Sequence, residues 1–111
     1  MVTHVVFMKP RLDLSIADRR ALVAAFERAT REIPSVRSVR VGRRVKHDAG
    51  YEAAAPDADY LALLDFDDLA GLQAYLSHPA HHELGARFGQ SLSSAWVCDF
   101  EVGSAADWVN P

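Results

Sequence analysis

Three of the five histidines stand within five positions, in a segment that reads YLSHPAHHEL from residue 75 to residue 84. They are His78, His81 and His82, and Tyr75 precedes them. Imidazole is the side chain whose ordinary pKa lies nearest neutrality, so beside a phenol it can accept and donate protons without a cofactor. The segment is therefore the candidate site for proton transfer, with His4 as a further imidazole far away in the chain.

Metal binding is the first alternative for the same histidines. Their spacings of three and four residues would bring two imidazoles together on a continuous helix, but Pro79 interrupts such a helix. No third ligand stands at a diagnostic spacing, and the chain has no HExxH motif. We therefore predict no metal site and no cofactor. A structural alternative also stays open, in which His78 bonds a free carbonyl at the break and His82 is a solvated surface residue.

A basic run reads VRSVRVGRRVK from residue 36 to residue 46. Its cationic side chains could bind an anion such as phosphate. Their alternation with valines is more typical of the polar face or margin of a strand, where charge also discourages unwanted pairing. The sequence thus favours a strand here over an anion site.

The apolar periodicity predicts the elements that must position these side chains. Strands are predicted at 2–9, 36–46, 59–66 and 94–102. One helix is predicted to begin at the cap Ser15 and to end before Pro34. A second helix is predicted to begin at Asp67 or Asp68, to break at His78 and to continue to about Gln90. The order β-α-β-β-α-β predicts an α+β, ferredoxin-like subunit with a four-stranded antiparallel sheet and both helices on one face. Residues 47–58 are predicted to be a long loop, which could close over a ligand, contact a second subunit or simply connect two strands.

The predicted strands are apolar on both sides. In 2–9, Thr3, Val5 and Phe7 alternate with His4, Val6 and Met8, and Leu61 and Leu63 alternate with other apolar residues in 59–66. Strands of this kind are typical of sheets that are covered on both faces, whereas the two helices can cover only one. The sequence therefore predicts a homodimer in which two sheets pack face to face.

The length, apolar fraction and net charge of the chain limit the functions it can have. Its 111 residues, half of them apolar, predict one domain, and the net charge of -3 gives no field that would collect nucleic acid or anionic lipid. The single Cys98 has no CxxC partner and is expected to be a buried, inert thiol. No apolar run approaches the roughly 20 residues of a membrane span, and the first residues lack the pattern of a secretion signal, so we expect a cytoplasmic protein without nucleic-acid or membrane partners.

Four segments of the chain carry a resemblance to a known family: THVVFMK, DYLALLDF, YLSHPAHHEL and VCDFEV. Over about residues 2–102 the chain resembles the stress-responsive dimeric α/β-barrel (Dabb) family. The resemblance implies a domain at 1–103 with a tail at 104–111 that carries Trp108, and a ferredoxin-like subunit that dimerises through its sheet into a barrel. A plant polyketide cyclase with this fold uses a tyrosine and a histidine as catalytic residues, and by motif position the resemblance implies these roles for Tyr75 and His81. It implies His4 and His78 as ligand-binding neighbours. Met8 departs from the pattern, because an aromatic residue commonly precedes the lysine.

Three functions follow from these observations and stay open. The first is a stress-response dimer that binds a small apolar or aromatic molecule. The second is a cofactor-independent cyclase or lyase, in which His81 removes a proton activated by a carbonyl and Tyr75 donates a hydrogen bond to the enolate oxygen. The third is a structural dimer whose own side chains fill the pocket. An accessible cavity onto which His4, Tyr75 and His81 converge would separate the third from the other two.

Overall fold

A four-stranded antiparallel sheet and three α-helices form the fold of residues 1–109, which the computed structural model describes. The elements are β1 (Val2–Pro10), α1 (Ile16–Glu32), β2 (Ser38–Arg43), β3 (Tyr60–Phe66), α2 (Leu69–Ser77), α3 (Pro79–Ser91) and β4 (Leu92–Glu101). The strands lie in the order β2-β3-β1-β4. This is the predicted ferredoxin-like subunit, with the second helix divided in two.

Most predicted boundaries are confirmed within two residues, and two are not. The second strand is limited to Ser38–Arg43, so the basic residues at 44 and 46 lie beyond it. The segment 47–58 is not wholly irregular, because Gly50–Ala54 forms a 3-10 helix. The Arg44 guanidinium holds this segment by donating to the carbonyl oxygens of Pro56 (2.7 Å) and Glu52 (3.4 Å).

Side-chain caps set where each helix begins, as the sequence predicts for α1. Ser15 Oγ accepts from the Asp18 amide at 3.1 Å, and Asp68 Oδ1 accepts from the Gly71 amide at 2.9 Å at the start of α2. The break at His78 is confirmed, because this residue ends α2 and begins α3 in extended conformation. Proline disfavours helical geometry in the residue before it, so Pro79 accounts for the break.

The core lies between the helices and one face of the sheet. On this face the two central strands, β1 and β3, contribute the buried residues, among them Val6 at 5 % exposure and Phe66 at 0 %, which pack against Ala29, Leu72 and Leu84 of the helices. The register places Val6 opposite Ala62 and Val97, which assigns alternate residues of every strand to the helix side. We call the other side the open face.

The open face is apolar, as predicted. Val5 and Phe7 lie beside Cys98 and Trp96 in the register of β1 and β4. Phe100, on the same face, is 57 % exposed in the single chain. The strands therefore present a continuous apolar surface that no helix of this chain covers.

A polar group interrupts the open face at one end. The Asp65 carboxylate accepts hydrogen bonds from Ser38 Oγ (2.5 Å) and Thr3 Oγ1 (2.7 Å), which links β2, β3 and β1. These two hydroxyls, Ser38 first, lower the pKa of Asp65. The buried carboxylate is thus fully paired within the chain.

One expectation about a single residue needs correction. Cys98 is not buried by its own chain, because it lies on the open face and is exposed when one chain stands alone. Trp108 is 86 % exposed in the 3-10 helix Ala105–Val109, so it does not cover the core of its own chain. The last two residues of the predicted tail, 110 and 111, lie outside the described residues. Within 1–109, no helix is long and apolar enough to cross a membrane.

Candidate functional site

Tyr75 lies at the centre of a small cluster of rings between α2, α3 and the sheet. Its side chain is 2 % exposed, and its ring packs against Phe66 with centroids 5.3 Å apart. The imidazole of His81 meets it edge to face at 4.8 Å, and that of His4 at 5.9 Å. Burial raises the pKa of Tyr75 to about 12, so its phenol stays protonated at neutral pH.

His81 lies in the first turn of α3, on the face that carries the buried Leu84 one turn later. Its Nδ1 is buried and has no hydrogen-bond partner among the described residues. Burial lowers the pKa of His81 below 6.5, the charge of His4 adds to this, and an interaction with the backbone of Leu76 opposes it. The imidazole is therefore neutral at neutral pH, the form that accepts a proton.

His4 reaches the cluster from the sheet. It is 5 % exposed, and its Nδ1 lies 2.6 Å from Oδ1 of Asp99, its register partner on β4. An ionised carboxylate only accepts hydrogen bonds, so Nδ1 of His4 is the donor in this pair and Nε2 is left to other partners. Asp99 was not a predicted site residue, because only the pairing of β1 with β4 brings it here. The sequence signal that could have identified Asp99 is its charge within an otherwise apolar strand.

The other two histidines of the segment lie elsewhere. His78 Nδ1 accepts a hydrogen bond from the Ala80 amide at 3.0 Å, which caps α3. The structural alternative for His78 is right that the side chain serves the break, but wrong about its partner, because the ring nitrogen accepts from an amide and does not donate to a carbonyl. His82 is exposed. Of the four predicted site residues, the structure thus brings together His4, Tyr75 and His81. His78 instead lies at the helix break, which positions Tyr75 and His81.

A separate groove opens between α1 and the far end of the sheet. It has a volume of about 640 Å³, and its walls include Met8, Leu22, Phe26, Tyr60 and Phe88. His4, Tyr75, His78 and His81 do not line it. The buried Val6 lies between Met8 and His4 on β1, and Leu84 lies between Phe88 and His81 on α3. The sequence missed this groove, because its walls come from six separate elements.

The ring cluster can bind and move a proton, but its composition does not suit a metal. Residues 1–109 contain no group of three histidine, cysteine or acidic side chains that could hold a metal ion. A neutral imidazole beside a protonated phenol forms a base and a hydrogen-bond donor within one apolar layer. A hydroxyl or acidic C–H group that reached Nδ1 of His81 would supply the hydrogen bond that this atom lacks.

Comparisons with known proteins give the chain a family and a fold. Residues 2–102 match the family model described as Stress responsive A/B Barrel Domain. No curated protein matches the chain. Among solved structures, a protein of Arabidopsis thaliana aligns with a TM-score of 0.79 at 20 % identity, over 95 % of this chain and 98 % of that chain.

Two further structures extend the comparison. A hydroxynitrile lyase from Passiflora edulis aligns with a TM-score of 0.79 at 16 % identity, over 94 % of each chain. A dimeric ferredoxin-like protein of unknown function from Jannaschia sp. CCS1 aligns with a TM-score of 0.74 at 25 % identity, over 91 % of this chain and 98 % of that one. These similarities agree with the ferredoxin-like fold described above.

Protonation of His81 should destabilise the folded chain. Its pKa is lowered from 6.5 by burial, so the unfolded chain binds this proton at a higher pH than the folded chain. The free energy of unfolding should therefore keep its full value above pH 6.5 and fall as the pH drops below that value. Urea unfolding at a series of pH values from about pH 8 to pH 5 measures this change in the free energy of unfolding.

The variant His81→Gln should lose this part of the pH dependence, while His82→Gln, which removes an exposed imidazole from the same helix, should keep it. Identical pH profiles for the wild type and His81→Gln would contradict the assignment of a lowered pKa to His81.

Proposed function

We propose that this chain, which belongs to the stress responsive A/B barrel domain family, acts as a homodimer that binds a small apolar or aromatic molecule between its helices and its sheet. The observation that carries the binding proposal is the groove of about 640 Å³. Its volume lies within the range of about 300–1,000 Å³ that is common for small-molecule sites. Its walls are mostly aliphatic and aromatic, which favours an apolar occupant.

The open face supports the homodimer. Trp96 and Phe100 are 37 % and 57 % exposed in the single chain, on a face where β1, β3 and β4 contribute apolar residues. Continuous apolar surface of this kind marks an interface in soluble proteins. Three structural neighbours, from Thermobifida fusca, Bacteroides fragilis and Jannaschia sp. CCS1, are described as dimeric proteins with a ferredoxin-like fold.

The variant Phe100→Asp should dissociate the homodimer, because an unpaired carboxylate would be buried between two apolar faces at a cost of several kcal/mol. Size-exclusion chromatography with light scattering should give twice the chain mass for the wild type and the single-chain mass for the variant. The control is Leu12→Asp, at a residue that is 98 % exposed in the connection before α1. A monomeric wild type at micromolar concentration would refute the homodimer.

Filling the groove should abolish binding. A neutral aromatic probe such as 2-naphthol should bind the wild type in calorimetry, and Leu22→Trp should weaken binding at least about ten-fold by occupying the same volume. Ile16→Trp is the matched control, because this residue of α1 is 63 % exposed and does not line the groove. If the wild type takes up no probe, or if both variants bind equally well, the structural dimer becomes the better account.

A second candidate is a cofactor-independent cyclase or lyase, and the unpartnered Nδ1 of His81 favours it. In this reaction the neutral His81 would take a proton from a substrate hydroxyl or from a carbon beside a carbonyl. Tyr75, whose pKa of about 12 keeps it protonated, would donate a hydrogen bond to the oxygen on which negative charge develops. The structural neighbour described as a hydroxynitrile lyase has the same fold, but its identity of 16 % lends the activity no further support.

Exchange of the α-hydrogens of an aromatic methyl ketone in D₂O, followed by NMR, tests this candidate without knowledge of the true substrate. His81→Ala and Tyr75→Phe should each lower the rate roughly 100-fold or more, as expected for loss of a proton-transfer group. His82→Ala removes a neighbouring exposed imidazole and should leave the rate unchanged. Exchange that survives in His81→Ala and Tyr75→Phe would exclude the proposed roles.

A further inference from the structure

Two arginines line the apolar groove from opposite walls. Arg19 comes from α1, one turn before Leu22, and Arg43 is the last residue of β2. The register pairs Arg43 with Tyr60 and Val41 with Ala62, so Arg43 lies on the helix side of the sheet. The groove is thus framed by a cation on its helical wall and a cation on its sheet wall.

Neither guanidinium has an ion-pair or hydrogen-bond partner within residues 1–109. Other basic side chains on the surface also lack partners, but Arg19 and Arg43 are the ones that line this groove. Its acidic residue, Glu27, is already paired with Arg31. The groove therefore holds two free positive charges in a chain whose net charge is -3.

We infer that the ligand of the groove is a small amphipathic carboxylic acid, with an aromatic or aliphatic body and one carboxylate held by Arg19 and Arg43. This inference rests on the proposed binding function and names its ligand class. The planar guanidinium matches a carboxylate with two parallel hydrogen bonds. Arg19 is half-buried and Arg43 is exposed, so the apolar walls shield the pair with Arg19 more than the pair with Arg43. The walls around Phe26 and Phe88 accept the apolar body.

The position of the arginines also sets the orientation of the ligand. Met8 at the groove and His4 at the ring cluster lie on the same face of β1, four residues and so roughly 13 Å apart. The carboxylate is held at the end of the layer that is remote from His81 and Tyr75. It is therefore an anchor that stays apart from the ring cluster, and the apolar part of the ligand lies against the groove walls.

Calorimetry on the wild-type protein with 2-naphthoate and its neutral isostere 2-naphthamide tests the inference. Naphthoate should bind at least about ten-fold more tightly than naphthamide. Arg19→Gln and Arg43→Gln should each remove most of this preference, and circular dichroism checks that each variant is folded. Arg20→Gln and Lys46→Gln, at exposed residues outside the groove, are the matched controls and should retain the preference. Inorganic phosphate at the same concentration should not compete.

The outcomes test the carboxylate anchor and the binding function separately. Equal affinity for naphthoate and naphthamide, or an equal loss in Arg20→Gln, would overturn the carboxylate anchor and leave the binding function intact. Competition by inorganic phosphate would overturn the ligand class in favour of a general anion site. If the wild type binds neither aromatic compound, the binding function itself fails.

Discussion

The constraint on which the structure depends is an imbalance between apolar sheet surface and the helices available to cover it. Four strands alternate their side chains between two faces, and both faces are apolar across β1, β3 and β4. The three helices pack on one face only, where they enclose Val6, Leu64 and Phe66. The other face, with Trp96 and Phe100, can leave water only by meeting a second surface of the same kind. Dimerisation through this face would leave the helix side free for a ligand.

The helix side of the sheet carries two separate features, the ring cluster and the groove. Pro79 breaks the second helix, and this break places the buried Tyr75 at the end of α2 and His81 at the start of α3, with His4 and Asp99 reaching them from the sheet. At the other end α1 stands away from the sheet and leaves the groove, with arginines on both walls. Val6 and Leu84 fill the space between. The ring cluster and the groove are therefore separate features of one continuous layer.

Local signals predicted much of the fold. Ser15 and Asp68 cap helices as their spacing indicated, and Pro79 ended α2 at His78 because proline acts on its immediate neighbour. Alternation in β4 gave its two faces. What could not be predicted depends on pairing between distant segments: the contact of Asp99 with His4, the two walls of the groove, and the ordering of 47–58 by Arg44. Cys98 shows a further limit, because an apolar pattern predicts burial without saying whether the chain itself or another chain provides it.

Cys98 also offers the most direct measurement of the central claim. It is the single cysteine of the chain, it lies on the open face, and it is exposed when one chain stands alone. Its rate of reaction with a small thiol reagent therefore reports whether that face is covered in the native protein at micromolar concentration. The account predicts slow labelling of the native protein, labelling that accelerates on dilution, and full labelling on unfolding. Rapid, stoichiometric labelling of the native protein at every concentration would mean that the open face remains in water, and it would contradict the account.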